Sequence, residues 1–260
     1  MFDLFHAGLS DWQVTTSGSG TVQANDGLRL TVQPNGSAAH YHNAQIADYT
    51  YQDFRFRWHA PLTLTVIAGR AGVIPPHTGT AGFGFWNHPL SPELRRRLPR
   101  LPAAIWFFYG APPHDLRLAL DVPGHGWKAQ TIDAARPQAL ALAPIAPLLM
   151  LLMRVPPLYR PIYRRVQRIL KVGEAALDPG LLADRHTYTI TWARDRARFT
   201  VDGAVVLETP FAPAGALGFI AWADNQVMVA TPQGHFRWGI APLHTPQTLV
   251  IESLRIERDS

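Results

Sequence analysis

The 260-residue chain has no cysteine, which excludes a disulfide framework and thiolate chemistry. Glutamate is scarce, limited to Glu93, Glu174, Glu208, Glu252 and Glu257, and lysine is scarcer still, with Lys128 and Lys171 alone. From Ala134 to Gly173 there is no acidic residue at all. The apolar run Ala139–Met153 falls short of the roughly twenty residues a spanning helix needs, and Pro144 and Pro147 break it. Residues Met1–Ser10 lack the basic region and apolar core of a secretory signal. The expectation is therefore a cytoplasmic protein, free or attached peripherally to a membrane. Phosphate-binding glycine loops, a serine nucleophile elbow and His-Glu-x-x-His are all missing, and no cofactor is expected.

The formal net charge of +5 is local. Arg136, Arg154, Arg160, Arg164, Arg165, Arg168 and Lys171 put seven positive charges into the acid-free window, so the remainder is slightly negative. A nucleic-acid partner is not expected, because the charge is not spread over a binding face. Within this window Tyr159, Ile162, Tyr163, Val166, Ile169 and Leu170 recur at helical spacing. Arg160, Arg164, Arg168 and Lys171 fall opposite, with Arg165 at the flank. Pro161 suits a first helical turn and Gly173 a C-terminal cap. The spacing predicts an amphipathic helix over 159–172 that serves as a lid, with its apolar face turned to a ligand groove or an anionic membrane surface.

Outside the window the chain reads as short strands. Leu28–Val32, Phe54–Trp58 and Leu62–Val66 alternate apolar and polar residues, the pattern of strands packed on one face. Thr187–Trp192 and Arg198–Val201 follow the same rule. Asp202-Gly203 then supplies a tight turn into Ala204–Leu207, and Leu249–Glu257 closes the chain. Roughly fourteen to sixteen such segments, by the usual strand lengths, predict an all-β sandwich or barrel.

The stretch His186-Thr187-Tyr188-Thr189-Ile190-Thr191-Trp192, with Arg198-Phe199-Thr200-Val201-Asp202-Gly203 and Val205-Val206, resembles the late hairpin of concanavalin A-like lectin/glucanase jelly rolls of the family-16 glycoside hydrolase type. Phe5, Trp12, the Gly82–Trp86 segment and the closing strand fit the same architecture. The resemblance implies one β-sandwich over residues 1–260, interrupted by a helical insert at about 134–180, and a carbohydrate ligand. Those enzymes carry Glu-x-Asp-x-x-Glu, or a form one residue longer, on one central strand, which places nucleophile and acid/base on the same face. No glutamate here forms that motif. Were Asp115–Asp121 the corresponding strand, its terminal carboxylates would lie about 20 Å apart, too far for hydrolysis by a carboxylate pair.

Aromatic and polar residues recur at strand ends. Trp86-Asn87-His88 follows Gly82-Phe83-Gly84-Phe85, and Trp222-Ala223-Asp224-Asn225-Gln226 follows Gly218-Phe219-Ile220. Trp106, Tyr109 and Trp127 complete a candidate ligand wall that binds by stacking and hydrogen bonding. The plain alternative is that these rings fill the core. Asp121 and His125 are close enough in sequence for an acid–base pair, and Asp224 is a third candidate acid. The simpler account of the first two is a turn cap and a solvated imidazole. His40 and His42 share a face but have no third ligand nearby, so no metal site is expected. Arg95-Arg96-Arg97 adds a second basic patch, by default solvated loop charge. Three function classes stay open. One is a module for carbohydrate or glycolipid. Another is an enzyme or carrier for a hydrophobic small molecule, isoprenoid or other lipid, beneath a membrane-contacting lid. The third is a scaffold that oligomerises through its insert.

Overall fold

A computed structural model describes residues 2–3, 9, 12–24, 27–34, 40–70, 78–89 and 101–258. Phe5, Glu93 and Arg95–Arg97 lie outside them. Two antiparallel sheets pack face to face, each drawing strands from both sides of the acid-free window. The first runs in the order β14 (Ala204–Thr209), β13 (Ala197–Val201), β12 (His186–Trp192), β6 (Leu62–Arg70), β18 (Gln247–Arg258), β4 (Leu28–Val32) and β3 (Thr21–Ala24), with β1 (Phe2–Asp3) also pairing with β18. The second runs β11 (Gly173–Leu177), β10 (Gly126–Asp133), β8 (Ala103–Gly110), β7 (Thr80–Trp86), β15 (Gly218–Asp224), β5 (Asn43–Ala47) and β2 (Gln13–Ser17). A small third sheet joins β17 (Phe236–Ile240), β16 (Gln226–Ala230) and β9 (Asp115–Leu116).

The core between the two large sheets follows from strand alternation. Leu28, Leu30 and Val32 of β4, Leu62, Leu64 and Val66 of β6, and Tyr188, Ile190 and Trp192 of β12 meet Phe83, Phe85, Phe107, Trp127 and Phe219 from the second sheet. The turn after β13 forms as its dipeptide predicts, with Asp202 at φ 49° and Gly203 at φ 81°, and the Asp202 carboxylate accepts from the Thr187 backbone N–H at 2.8 Å.

Two strand expectations fail. Phe54–Trp58 is irregular apart from a single bridge, Trp58 to Leu217. Phe54 takes φ 51° there, and its ring joins a cluster with Tyr49, Tyr51, Phe56 and His88 rather than a ladder. Of Asp115–Asp121, only Asp115–Leu116 is strand.

The acid-free window leaves the second sheet at the end of β10 and returns in β11, its immediate antiparallel neighbour. Strand pairing resumes at Gly173, so the helical excursion ends well before residue 180. Asp133 N–H donates to Leu170 O at 2.8 Å, while the Asp133 carboxylate takes Arg136 Nε at 2.6 Å and Ala214 N–H at 3.0 Å. The excursion therefore begins and ends on one ladder, which is why the sandwich forms around it. Within it lie α1 (Pro137–Leu140), a 3-10 turn, α2 (Ala146–Leu152) and α3 (Pro156–Ile169). α3 starts and ends about three residues earlier than the spacing predicted.

Candidate ligand-binding face

The second sheet shows one face to the core and the other outward, and the pairing registers assign side chains to the outer face row by row. One row holds Ile132, Ala104, Trp86 and Gly218. The next holds Glu174, Gln130, Trp106, Gly84, Ile220 and Ala47. A third holds Lys128, Phe108, Gly82, Trp222, Gln45 and Thr15. The last holds Gly110, Thr80, Asp224 and Asn43.

Each tryptophan on this face sits opposite a glycine on the neighbouring strand: Trp86 opposite Gly218, Trp106 opposite Gly84, Trp222 opposite Gly82. A Cβ at Gly82 would lie 2.8 Å from Trp222 Cη2, so any side chain there would lift the ring off the sheet. The result is a continuous aromatic floor. Ring centroids are 5.5 Å apart for Trp86 and Trp106, 5.3 Å for Trp106 and Trp222, and 5.9 Å for Trp222 and Phe108. Every indole N–H of the three is committed: Trp86 to Tyr49 Oη at 2.7 Å, Trp106 to Gln130 Oε1 at 2.9 Å, Trp222 to Thr80 Oγ1 at 2.9 Å. What remains to a ligand is the ring face of the half-buried Trp86 and Trp106, with Trp222 buried beside them.

A polar border adjoins the floor. The Asp224 carboxylate accepts from Thr80 Oγ1 at 2.7 Å, from the N–H groups of Gln226 and Thr80, and from Tyr41 Oη at 3.4 Å. Burial pushes the Asp224 carboxyl up to about 6, against the opposing effect of these donors. His114 packs over Gly110 and beside the Phe108 ring, and burial lowers its imidazole to about 4, so it is neutral at ordinary pH. Its Nε2 and the Oδ1 of Asn43 are buried without a hydrogen-bond partner. Two unsatisfied polar atoms beside an apolar floor are what an incoming polar ligand can pair with.

The opposite margin is closed by the chain itself. Lys128, 0 % exposed, directs its amine to Glu174 Oε1 at 2.9 Å, Leu116 O at 3.1 Å and Pro123 O at 3.0 Å. Gln130 Nε2 donates to Glu174 as well, and Glu174 Oε2 accepts from Ala119 N–H at 2.9 Å. Burial pushes the Lys128 amine down and the Glu174 carboxylate opposes it. This buried pair straps residues 116–123 across the sheet edge, and α3 lies over the strap. Tyr163 Oη donates to the carbonyls of Arg117 and Leu118, and Arg160 pairs with Asp121 at 2.6 Å.

Placement of the residues singled out in the sequence is mixed. Trp86, Trp106 and Trp222 share the outer face, with His88 4.4 Å from the Trp86 ring. Asp224 and the half-buried Gln226 lie at its polar border. Trp127 and Tyr109 turn inward instead and pack in the intersheet core. Asn87 spends its amide on Leu101 O and Ala103 N–H, and Asn225 on His40 O, Ala241 O and His42 N–H, so both are internal braces. Asp121 is engaged by Arg160 on the surface, and no hydrogen bond joins it to His125 among the described residues. The helix of the window turns its apolar side inward and its basic side to solvent. Tyr163 is buried, Ile162, Val166, Ile169 and Leu170 are half-buried, and Ile169 and Leu170 pack against the cluster of Ala104, Ile132 and Val172, which Trp86 and Trp106 also border. Tyr159 stacks on Tyr163 at 5.8 Å, while Arg160, Arg164, Arg165 and Arg168 face solvent. Thr80, His114, Asn43, Gln45 and Tyr41 were not singled out. Only register reveals them, since no motif marks them.

The outer face also decides what chemistry is available. Its carboxylates, Glu174 on β11 and Asp224 on β15, stand four strands apart, about 19 Å across the sheet before any offset along it. Carboxylate pairs that cleave glycosidic bonds need about 5–10 Å. The central strands β8 and β7 contribute Ala104, Trp106, Phe108, Gly82, Gly84 and Trp86 to this face, none of them an acid.

No protein-family model matches the chain, and no curated protein does. Solved structures with similar folds exist. The GlcNAcα1-4Gal-releasing endo-β-galactosidase from Clostridium perfringens is 10% identical over 98% of this chain and 62% of its own, with a TM-score of 0.56. The catalytic domain of an endo-1,3-β-glucanase (laminarinase) from Thermotoga petrophila RKU-1 is 12% identical over 100% and 97%, with a TM-score of 0.52. A structure described as a native glycosidic hydrolase is 14% identical over 100% and 96%, also at 0.52. The fold is the concanavalin A-like jelly roll. At these identities the likeness extends to the fold and no further, and the jelly roll seen here carries its own outer face.

Proposed function

We propose that the protein binds a carbohydrate across the Trp86–Trp106–Trp222 floor and does not cleave it with a carboxylate pair. The observation that carries this reading is the floor itself: three neighbouring indoles tilted against one another, N–H groups committed, with Asn43 Oδ1 and His114 Nε2 unpaired at one border. Pyranose rings stack their C–H faces on aromatic faces and spend their hydroxyls on such polar atoms. The activities of two structural neighbours, a glucanase and a galactosidase, accord with a sugar ligand. A second reading, a hydrophobic small molecule or the lipid part of a glycolipid, is favoured by the same committed N–H groups, which leave the floor with ring surface alone.

A glycan array with the purified chain tests the first reading. We expect binding to at least one oligosaccharide class, lost by at least about tenfold on Trp106→Ala or Trp222→Ala, the scale of one stacked ring in a site. No bound glycan, together with a bound apolar dye displaced by lipid extract, would replace it with the second. Hydrolysis of a bound glycan that survives Asp224→Asn and Glu174→Gln would show that a different group does chemistry here.

A further inference from the structure

Because α3 turns its apolar side inward, the apolar surface left to solvent lies elsewhere. On α2, Leu148 is 57% and Leu151 59% exposed, with Met150 beside them. α2 touches the tip of the β16–β17 hairpin: a Cβ on Gly234 would lie 3.2 Å from Met150 Sδ, and Arg154 Nε donates to Gln233 O at 3.3 Å. On that hairpin Phe236 is 73% and Trp238 55% exposed, two positions apart and so on one side of β17. Among the described residues these are the most exposed aromatics, and they sit beside the acid-free window. Isolated exposed apolar residues are ordinary, but a cluster drawn from two elements marks a docking surface.

We propose that this patch, α2 together with the tip of the β16–β17 hairpin, docks into the interface of an anionic lipid bilayer. Charge complementarity selects this occupant. Arg154 adjoins the hairpin tip, Arg164, Arg165 and Arg168 are exposed on the neighbouring α3 without an ion pair among the described residues, Arg237 is exposed on the other side of β17 from Phe236 and Trp238, and no acid occurs from 134 to 173. Basic residues at a negatively charged headgroup layer, with leucine and aromatic side chains entering below it, are the two components of interfacial binding. Tryptophan is favoured at that depth because its ring is apolar and its N–H polar. α2 has seven residues and is about 10 Å long, far short of a span, so it would lie in the interface. A second copy of the chain is the weaker occupant. A twofold contact sets each patch against itself and brings the two arginine rims together.

The test is co-sedimentation of the full chain with phosphatidylcholine vesicles, with and without phosphatidylserine. The expected result is binding that requires phosphatidylserine and weakens with salt. Phe236→Ser/Trp238→Ser should lower vesicle affinity at least about tenfold, since two large aromatics leave the lipid. Arg164→Gln/Arg165→Gln/Arg168→Gln should lower it by a similar factor, and far-UV circular dichroism should be unchanged in both because the replaced groups are exposed. Absence of binding in the unaltered chain would overturn the proposal, as would binding indifferent to both sets of changes. So would a dimer in light scattering that the Phe236/Trp238 variant dissolves, which would give the patch to a second copy. Sugar binding on the tryptophan floor is read separately and can fail without affecting this result.

Discussion

At the scale of single residues, parity along a strand decides which side chains can meet a ligand. The ring of Trp106 could not be assigned a face from the sequence, because β8 is apolar along its whole length, whereas Trp127 and Ala129 of β10 alternate with Lys128 and Gln130 and mark the inward side. The sequence therefore shows that β8 exists but not which way its rings point. The glycines opposite the outer tryptophans were a usable signal, because they mark where a ring lies flat across a neighbouring strand. Asp224 carries the residue-scale prediction. Its carboxyl is raised to about 6 in the folded chain, above the ordinary value near 4 of the unfolded one. Between about pH 4 and 6 the folded state holds a proton that the unfolded state has released. The stability it contributes is thus present below that window and lost as pH rises through it. Comparing urea midpoints of the unaltered chain and Asp224→Asn from pH 4 to 7 should reveal a difference that shifts by on the order of 3 kcal/mol, with the asparagine form gaining relative stability toward pH 7. A constant difference would mean that the Thr80, Gln226 and Tyr41 donors hold the ionised form at no cost.

At the scale of elements, the strands of the late hairpin and the closing strand were legible because each packs one face on the core and keeps the alternation that follows. Phe54–Trp58 showed the same alternation without a partner strand to pair with, and alternation alone does not supply one. The helix of the window was legible too, but not what its apolar side would meet, because periodicity fixes a face and says nothing of its partner. The strap over residues 116–123 was invisible for a related reason: Lys128 and Glu174 are far apart in sequence and each looks like ordinary surface charge. Their pairing predicts a steep cost. Lys128→Ala should lower stability by about 3–5 kcal/mol, since it leaves a buried carboxylate and two carbonyls without their donor. Lys128→Met/Glu174→Leu should recover much of that, because no lone charge remains. Urea unfolding of the single and double variants checks both, and a double variant no better than the single would assign the cost to the lost carbonyl contacts instead.

At the scale of the whole molecule, the sandwich could be read because strand signals stand on both sides of the window and the hairpin around Asp202-Gly203 resembles the late hairpin of such jelly rolls. The end of the excursion could not be read, because Gly173–Leu177 carries no alternation that separates it from the helix before it. That excursion leaves and re-enters the sheet between two adjacent, antiparallel strands, with Asp133 N–H closing onto Leu170 O. In effect it is a hairpin loop grown into a subassembly, and closing a longer loop adds little entropy. Replacing residues 136–169 with a short Asn-Gly turn should give a chain that still unfolds in one cooperative thermal transition with its β-type circular dichroism intact, while Trp86 and Trp106 become more accessible to acrylamide quenching. A chain that failed to fold would show the window to be part of the nucleus of the sandwich. Folding of the shortened chain would make the window an exchangeable cassette, on whose ladder surfaces of other shapes could be installed without touching the scaffold that carries the tryptophans.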